Sequence, residues 1–136
     1  MHYIAIELLK NAVCATVDQY GVLNCEDAPP ITVTLSASAA EVGWCVADCG
    51  GGMPRARRET AFDYFMTSAP KVLEQSGYGY SRSFGDDIEG YGLGLPMSRV
   101  YAGRLSGSVQ LSSLAGHGTW ATVNLCRHGT SPVVPA

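Results

Sequence analysis

Charge is scarce in this chain. Only 15% of its 136 residues are Asp, Glu, Lys or Arg, and nine basic residues against 12 acidic leave a net charge of -3. Nucleic-acid binders usually carry a basic surplus, because phosphate contacts dominate their affinity, so no nucleic-acid partner is expected. No apolar run approaches the roughly 18 residues of a membrane-spanning helix, and no membrane partner is expected either. Low hydrophobicity joined to high charge keeps chains unfolded, whereas here 46% of residues are hydrophobic. One soluble domain is the reading. The cysteines (Cys14, Cys25, Cys45, Cys49 and Cys126) are odd in number and contain no C-x-x-C pair. With no secretory leader ahead of them, they read as reduced intracellular thiols rather than a disulfide framework. His2, His117 and His128 are too scattered for a zinc site. Met1-His2-Tyr3 enters a helical pattern with neither a basic leader nor a cleavage site, so the chain reads as a domain that starts inside a fold.

Glycine, by contrast, is plentiful. Two of the clusters among its 16 copies are Gly50-Gly51-Gly52 and Gly90, Gly92, Gly94. Glycine is favoured where a backbone turns tightly or approaches a ligand, and two such clusters in a short chain hint at a nucleotide site.

Periodicity supplies the elements. Ile4, Leu8, Ala12 and Ala15 recur at helical spacing, predicting a helix over residues 2 to about 19, with Glu7, Asn11, Cys14 and Asp18 on an adjacent stripe. Residues 21–30 read as a loop closed by Pro29-Pro30. Residues 31–38 alternate and predict a half-buried strand; residues 42–47 are more apolar and predict a deeper one, the two forming an antiparallel hairpin that ends on Asp48. Residues 54–65 read as a turn and short helix with Phe62 and Phe65 inward. Residues 71–90 show no period, as a functional loop would. Residues 95–105 read as a helix with Pro96 in its first turn, and 108–112 and 119–125 as strands joined through Gly116-His117-Gly118. Segregated strands and helices predict an α+β sandwich, a mixed and mostly antiparallel sheet covered on one face by about three helices. The last residues, 127–136, read as a flexible tail.

Four short stretches suit an ATP site. Glu7 and Asn11 lie one helical turn apart, so their side chains project together. A carboxylate there can take a proton from an attacking hydroxyl, and an amide oxygen suits Mg²⁺. Asp48 at a strand end can accept from the exocyclic amine of adenine, with Gly50 and Gly52 letting the backbone approach the base. The run Gly90-Tyr91-Gly92-Leu93-Gly94-Leu95 opens a helix, where backbone N–H groups can meet phosphates. Thr119 offers a hydroxyl. No Gly-Lys-Ser/Thr follows the glycines, so this is not a Walker loop. Each feature alone is ordinary; the order of all four is specific.

That order resembles the GHKL (Bergerat-fold) ATPases. The wording ELLKNA, DCGGGMP, FDYFMTSAP, GYGLGLPMSRVYA and GHGTWATVNL is similar to the mitochondrial kinases of the pyruvate and branched-chain ketoacid dehydrogenase complexes. The resemblance runs from Tyr3 to Leu125. It implies that Glu7 is the general base for a substrate serine, that Asn11 holds Mg²⁺, and that Ala12 belongs to the nucleotide site with it. It further implies that Asp48, Gly50, Gly52, Met53 and Thr119 contact adenine and that Thr67 and Ser68 lie near the nucleotide. Gly90, Tyr91, Gly92, Leu93, Gly94 and Leu95 would wrap the phosphates. Residues 1–126 would be an N-terminally truncated ATP-binding kinase domain with an ATP lid at about 71–90. ATP and Mg²⁺ are the implied cofactors. The implied partners are the decarboxylase subunit and lipoyl-bearing core of a 2-ketoacid dehydrogenase complex, most directly pyruvate dehydrogenase. The full-length protein would be a homodimer of the mitochondrial matrix. Cys14 and Cys49 stand where these kinases carry arginine, and Trp120 where they commonly carry aspartate. A histidine-kinase-type catalytic domain and a non-catalytic nucleotide-binding module are the alternative readings.

Overall fold

The apolar stripe of the first helix decides where two layers meet. The computed structural model describes residues 1–66 and 92–127, and in it α1 spans His2–Tyr20. Its buried residues are Ile4, Leu8, Ala12 and Thr16, each one turn from the next. Thr16 is tolerated there because its hydroxyl donates to the Ala12 carbonyl at 2.8 Å. Ala15, expected in this stripe, is only half-buried; it faces the loop after the second strand, where a side chain on Gly50 would come within 2.6 Å of its Cβ.

A 3₁₀ turn, Val22–Asp27, lies within the expected loop. The hairpin follows as expected: β1 (Thr32–Ala37) pairs antiparallel with β2 (Glu41–Asp48). After α2 (Arg55–Glu59) and α3 (Gly94–Arg104) come β3 (Ser108–Leu114) and β4 (Gly118–Cys126). Strand order is β1-β2-β4-β3. Every described pair is antiparallel, so the described sheet is not mixed. α1 packs on β2 and α3 on β3 and β4, with the two helices also packed on each other. The short α2 buries no residue. Among the described residues, then, two helices rather than three cover the sheet of this α+β sandwich. Ile4, Leu8, Ala12, Trp44, Val46, Ala102, Val109, Ala121, Val123 and Leu125 form the core between the layers.

Three further expectations need correction. β1 is exposed along all six residues rather than half-buried. Val33 and Leu35 sit opposite Val46 and Trp44, hence on the helix-facing side, but β1 is an edge of the described sheet and α1 rests on β2; Leu35 remains 78% exposed. Phe62 packs against the core, whereas Phe65 is 72% exposed at a φ of 65°, a left-handed turn that swings it off the helical period. Arg127, assigned to the tail, is tied down: its N–H donates to the Ala40 carbonyl at 2.8 Å and its guanidinium to the Ser38 carbonyl at 3.0 Å. The expected lid at 71–90 and the rest of the tail lie outside the described residues.

Candidate nucleotide site

Strand register builds the polar end of the site. Trp44 and Val46 of β2 face the core, and period-2 alternation puts Asp48 on the same side. Asp48 lies opposite Thr119 on β4, and Thr119 lies opposite Ser113 on β3. The three form one polar rung, next to an apolar rung made of Val46, Ala121 and Leu111. Asp48 is 7% exposed. Burial pushes its carboxyl above the ordinary range, opposed by hydrogen bonds from the backbone N–H groups of Gly50 and Thr119. The Gly50 bond, to Oδ1, is 2.9 Å long.

Ser113 is fully engaged. The Met53 N–H donates to its Oγ at 2.8 Å, and its hydroxyl donates to the Gly118 carbonyl at 3.2 Å. Its Oγ also lies 3.0 Å from Thr119 Oγ1. Either hydroxyl can donate in that pair, and a hydroxyl carries one proton and two acceptor lone pairs, so Thr119 keeps a lone pair with which to accept. An ionised Asp48 is likewise acceptor-only. The rung can therefore receive a donor such as an exocyclic amine.

The loop after β2 is pressed into place. Gly52 sits at a φ of 64°, and a Cβ there would overlap the Leu114 carbonyl oxygen; only glycine satisfies both constraints. The Gly116 N–H donates to the Gly51 carbonyl at 2.7 Å, and Arg58 donates to the Ser113 carbonyl at 3.2 Å. Met53 is half-buried beside the rung.

The second end of the site lies where α1 meets the start of α3. Glu7 exposes 19% of its side chain, with Oε1 3.6 Å from Lys10 Nζ and Oε2 directly over Gly94. Burial first, then the Glu7 charge and Tyr101, raise the Tyr3 phenol above its usual pKa; the Tyr3 ring meets Tyr101 edge-on with centroids 5.0 Å apart. Asn11, one turn beyond Glu7, is exposed. Among the described residues no group of three or more His, Cys, Asp or Glu gathers to hold a metal. An amide oxygen that shares Mg²⁺ with phosphate oxygens and waters needs no such group, and exposed Asn11 fits that use. Ala12 is 2% exposed within the core, so its side chain packs and offers a ligand nothing.

Gly92, Leu93, Gly94 and Leu95 lead into α3, all half-buried. Gly92 has a φ of 69°, and its carbonyl accepts from the Phe65 N–H at 3.1 Å. Thr67, Ser68, Gly90 and Tyr91 lie outside the described residues. Sequence reasoning missed Ser113 and Lys10. Ser113 was signalled by the alternation Val109, Leu111, Ser113, which places it inward beside Thr119.

The profile of the histidine kinase-, DNA gyrase B- and HSP90-like ATPases matches residues 1–128. The chain belongs to that family. Membership supports ATP as the ligand of this ATPase domain. The chain is also 32% identical over 125 residues to the mitochondrial pyruvate dehydrogenase (acetyl-transferring) kinase of Drosophila melanogaster, covering 92% of this chain and 29% of that protein. To the Ascaris suum enzyme of the same name it is 34% identical, with the same coverage. The Arabidopsis thaliana kinase is 34% identical over 131 residues, covering 96% of this chain and 36% of that protein. The chain thus spans about a third of the length of these relatives.

Proposed function

We propose that this ATPase domain binds ATP with Mg²⁺ and, in the complete protein, transfers the γ-phosphoryl group to a serine. The serine is on the decarboxylase subunit of a mitochondrial 2-ketoacid dehydrogenase complex, pyruvate dehydrogenase first. The observation that carries this reading is the 32–34% identity, over almost the whole chain, to mitochondrial pyruvate dehydrogenase kinases. The arrangement of residues supports it. Asp48 and Thr119 accept from adenine, Met53 and the glycine loop border the base, and the start of α3 meets the phosphates.

The transfer balances simply. The serine Oγ forms a bond to the γ-phosphorus, its proton passes to Glu7, and the bond from the γ-phosphorus to the bridging oxygen breaks to release ADP. Asn11 would be the residue that holds Mg²⁺, which when bound would supply charge neutralisation on the phosphates. Positioning and electrostatics dominate phosphoryl transfer, so rate depends on where Glu7 points. A mitochondrial location belongs to the same reading, which rests there on the relatives' names; the matrix compartment, the homodimer and docking to a lipoyl-bearing core rest on the motif resemblance alone.

The test is calorimetric titration with ATP, with and without Mg²⁺, of the chain and of Asp48→Ala. Saturable binding that Asp48→Ala weakens at least about tenfold is the expected result. A folded chain that binds no ATP, in this form and in the full-length protein, overturns the reading. In the full-length protein the transferred phosphate should be acid-stable phosphoserine. Acid-labile phosphate would instead identify histidine-kinase chemistry, which the family also contains.

A further inference from the structure

Glycines near the site are there for two different reasons. Gly51, Gly52 and Gly92 have φ of 77°, 64° and 69°, where a side chain is strained. Gly94 is different: it is the first residue of α3 and its φ is not in that region. Alanine is a better helix former than glycine, so local backbone conformation gives no reason for glycine here. The surroundings do. A Cβ on Gly94 would overlap Glu7 Oε2 and lie 3.3 Å from its Cδ.

We propose that Gly94 is a positioning residue for Glu7, its bare Cα forming the seat on which α3 holds the carboxylate. The inference rests on Glu7 being the base, as proposed above, and adds what aims it. Lys10 closes the seat from the other side, 3.6 Å from Oε1. The helices cannot part to admit a methyl group, because Ile4 and Leu8 of α1 and Ala102 of α3 are buried in one core and Tyr3 meets Tyr101 at the far end of the seam. An added methyl must therefore displace the Glu7 side chain. Because α3 starts at this seat, the element that meets the phosphates and the element that aims the base are one.

A double-mutant cycle in the full-length protein tests this, using Gly94→Ala, Glu7→Asp and the pair. Gly94→Ala should lower kcat by about 100-fold, the order expected for a misplacement near 1 Å, with any rise in the KM for ATP smaller than the fall in kcat. Aspartate is one methylene shorter and leaves room for the methyl. The pair should therefore turn over about 10-fold faster than the product of the two single losses predicts, the non-additivity of residues in contact. Only the far end of a flexible side chain is displaced, so the melting midpoint of Gly94→Ala should stay near that of the wild type; a large drop that Glu7→Asp does not relieve would place the clash elsewhere and overturn the seat. Losses that multiply, or a Gly94→Ala defect confined to the KM for ATP, overturn the seat while leaving Glu7 as the base. Full turnover by Glu7→Gln overturns the base, and the positioning role with it, before any cycle is run.

Discussion

The two ends of the site are held by different forces. At the strand end, Asp48, Thr119 and Ser113 are aligned by sheet register, and the loop carrying Gly50 to Met53 is pinned by hydrogen bonds of 2.7–2.9 Å. At the helix end, Glu7 is placed by packing: a bare glycine beneath it, a lysine beside it and a buried helix seam behind it. Register is robust, because slipping a strand by one residue would turn a whole apolar row outward. A seat made of van der Waals contact is sensitive to one methyl group. Substitutions at the strand end should therefore change how tightly nucleotide binds, and those at the helix end how fast it reacts.

Glu7→Gln gives the sharpest test of that division. Glutamine keeps the shape but cannot take a proton, and general-base catalysis contributes roughly 10²–10⁴-fold. Turnover by the full-length protein should fall within that range while ATP affinity, read by calorimetry, stays close to wild type. A large loss of affinity without loss of kcat would erase the distinction between the two ends. Asp48→Ala should do the reverse. A buried hydrogen bond to a charged group is worth about 1.5–3 kcal/mol, so ATP should bind at least about tenfold more weakly. Unchanged affinity would move adenine away from the rung.

Ser113→Ala comes next. The substitution leaves the Met53 N–H without its acceptor and Thr119 without its hydroxyl partner, in a part of the sheet where Ser113 is 8% exposed. Leaving buried polar groups unpaired costs about 1–3 kcal/mol, so the melting midpoint should drop by several degrees. Affinity for ATP should fall too, because Met53 is released. A variant with the wild-type midpoint would show that the rung is held by strand pairing alone.

How much of this was legible depended on whether a signal was local. The helix period of Ile4, Leu8 and Ala12 and the alternation of residues 31–38 mark α1 and β1 with little ambiguity, and the motif order led to the correct family. Alternation names a face but not what covers it, so β1 read as half-buried although α1 rests on β2 and leaves Leu35 78% exposed. Register was equally hidden. Val109, Leu111 and Ser113 plainly share a side, but that Ser113 meets Thr119, and Thr119 meets Asp48, depends on pairings between strands far apart in sequence. Glycines looked alike on the page. Only coordinates separate Gly52, which needs its φ, from Gly94, which needs the space beneath Glu7.

The smallest expected effect concerns Asp48 and pH, and it too separates the ends. Burial raises the Asp48 carboxyl above its ordinary value of 3.8. Between the unfolded and folded values the native state therefore holds the extra proton. The stabilisation from that proton is complete below about pH 3.8 and is lost as pH rises through the raised folded value. Asp48→Asn has no such titration, so its stability relative to wild type should improve as pH increases across that window. Thermal unfolding at closely spaced pH values would show it. Adenosine affinity should move the opposite way. A charge-assisted hydrogen bond is roughly twice as strong as a neutral one, so protonating Asp48 on the acid side should weaken adenosine severalfold, beginning above the ordinary carboxylate range. Using adenosine leaves the triphosphate and Glu7 out of the measurement. A Glu7→Gln control should give the same pH curve as wild type; a changed curve would mean the two ends share a titration and are not independent.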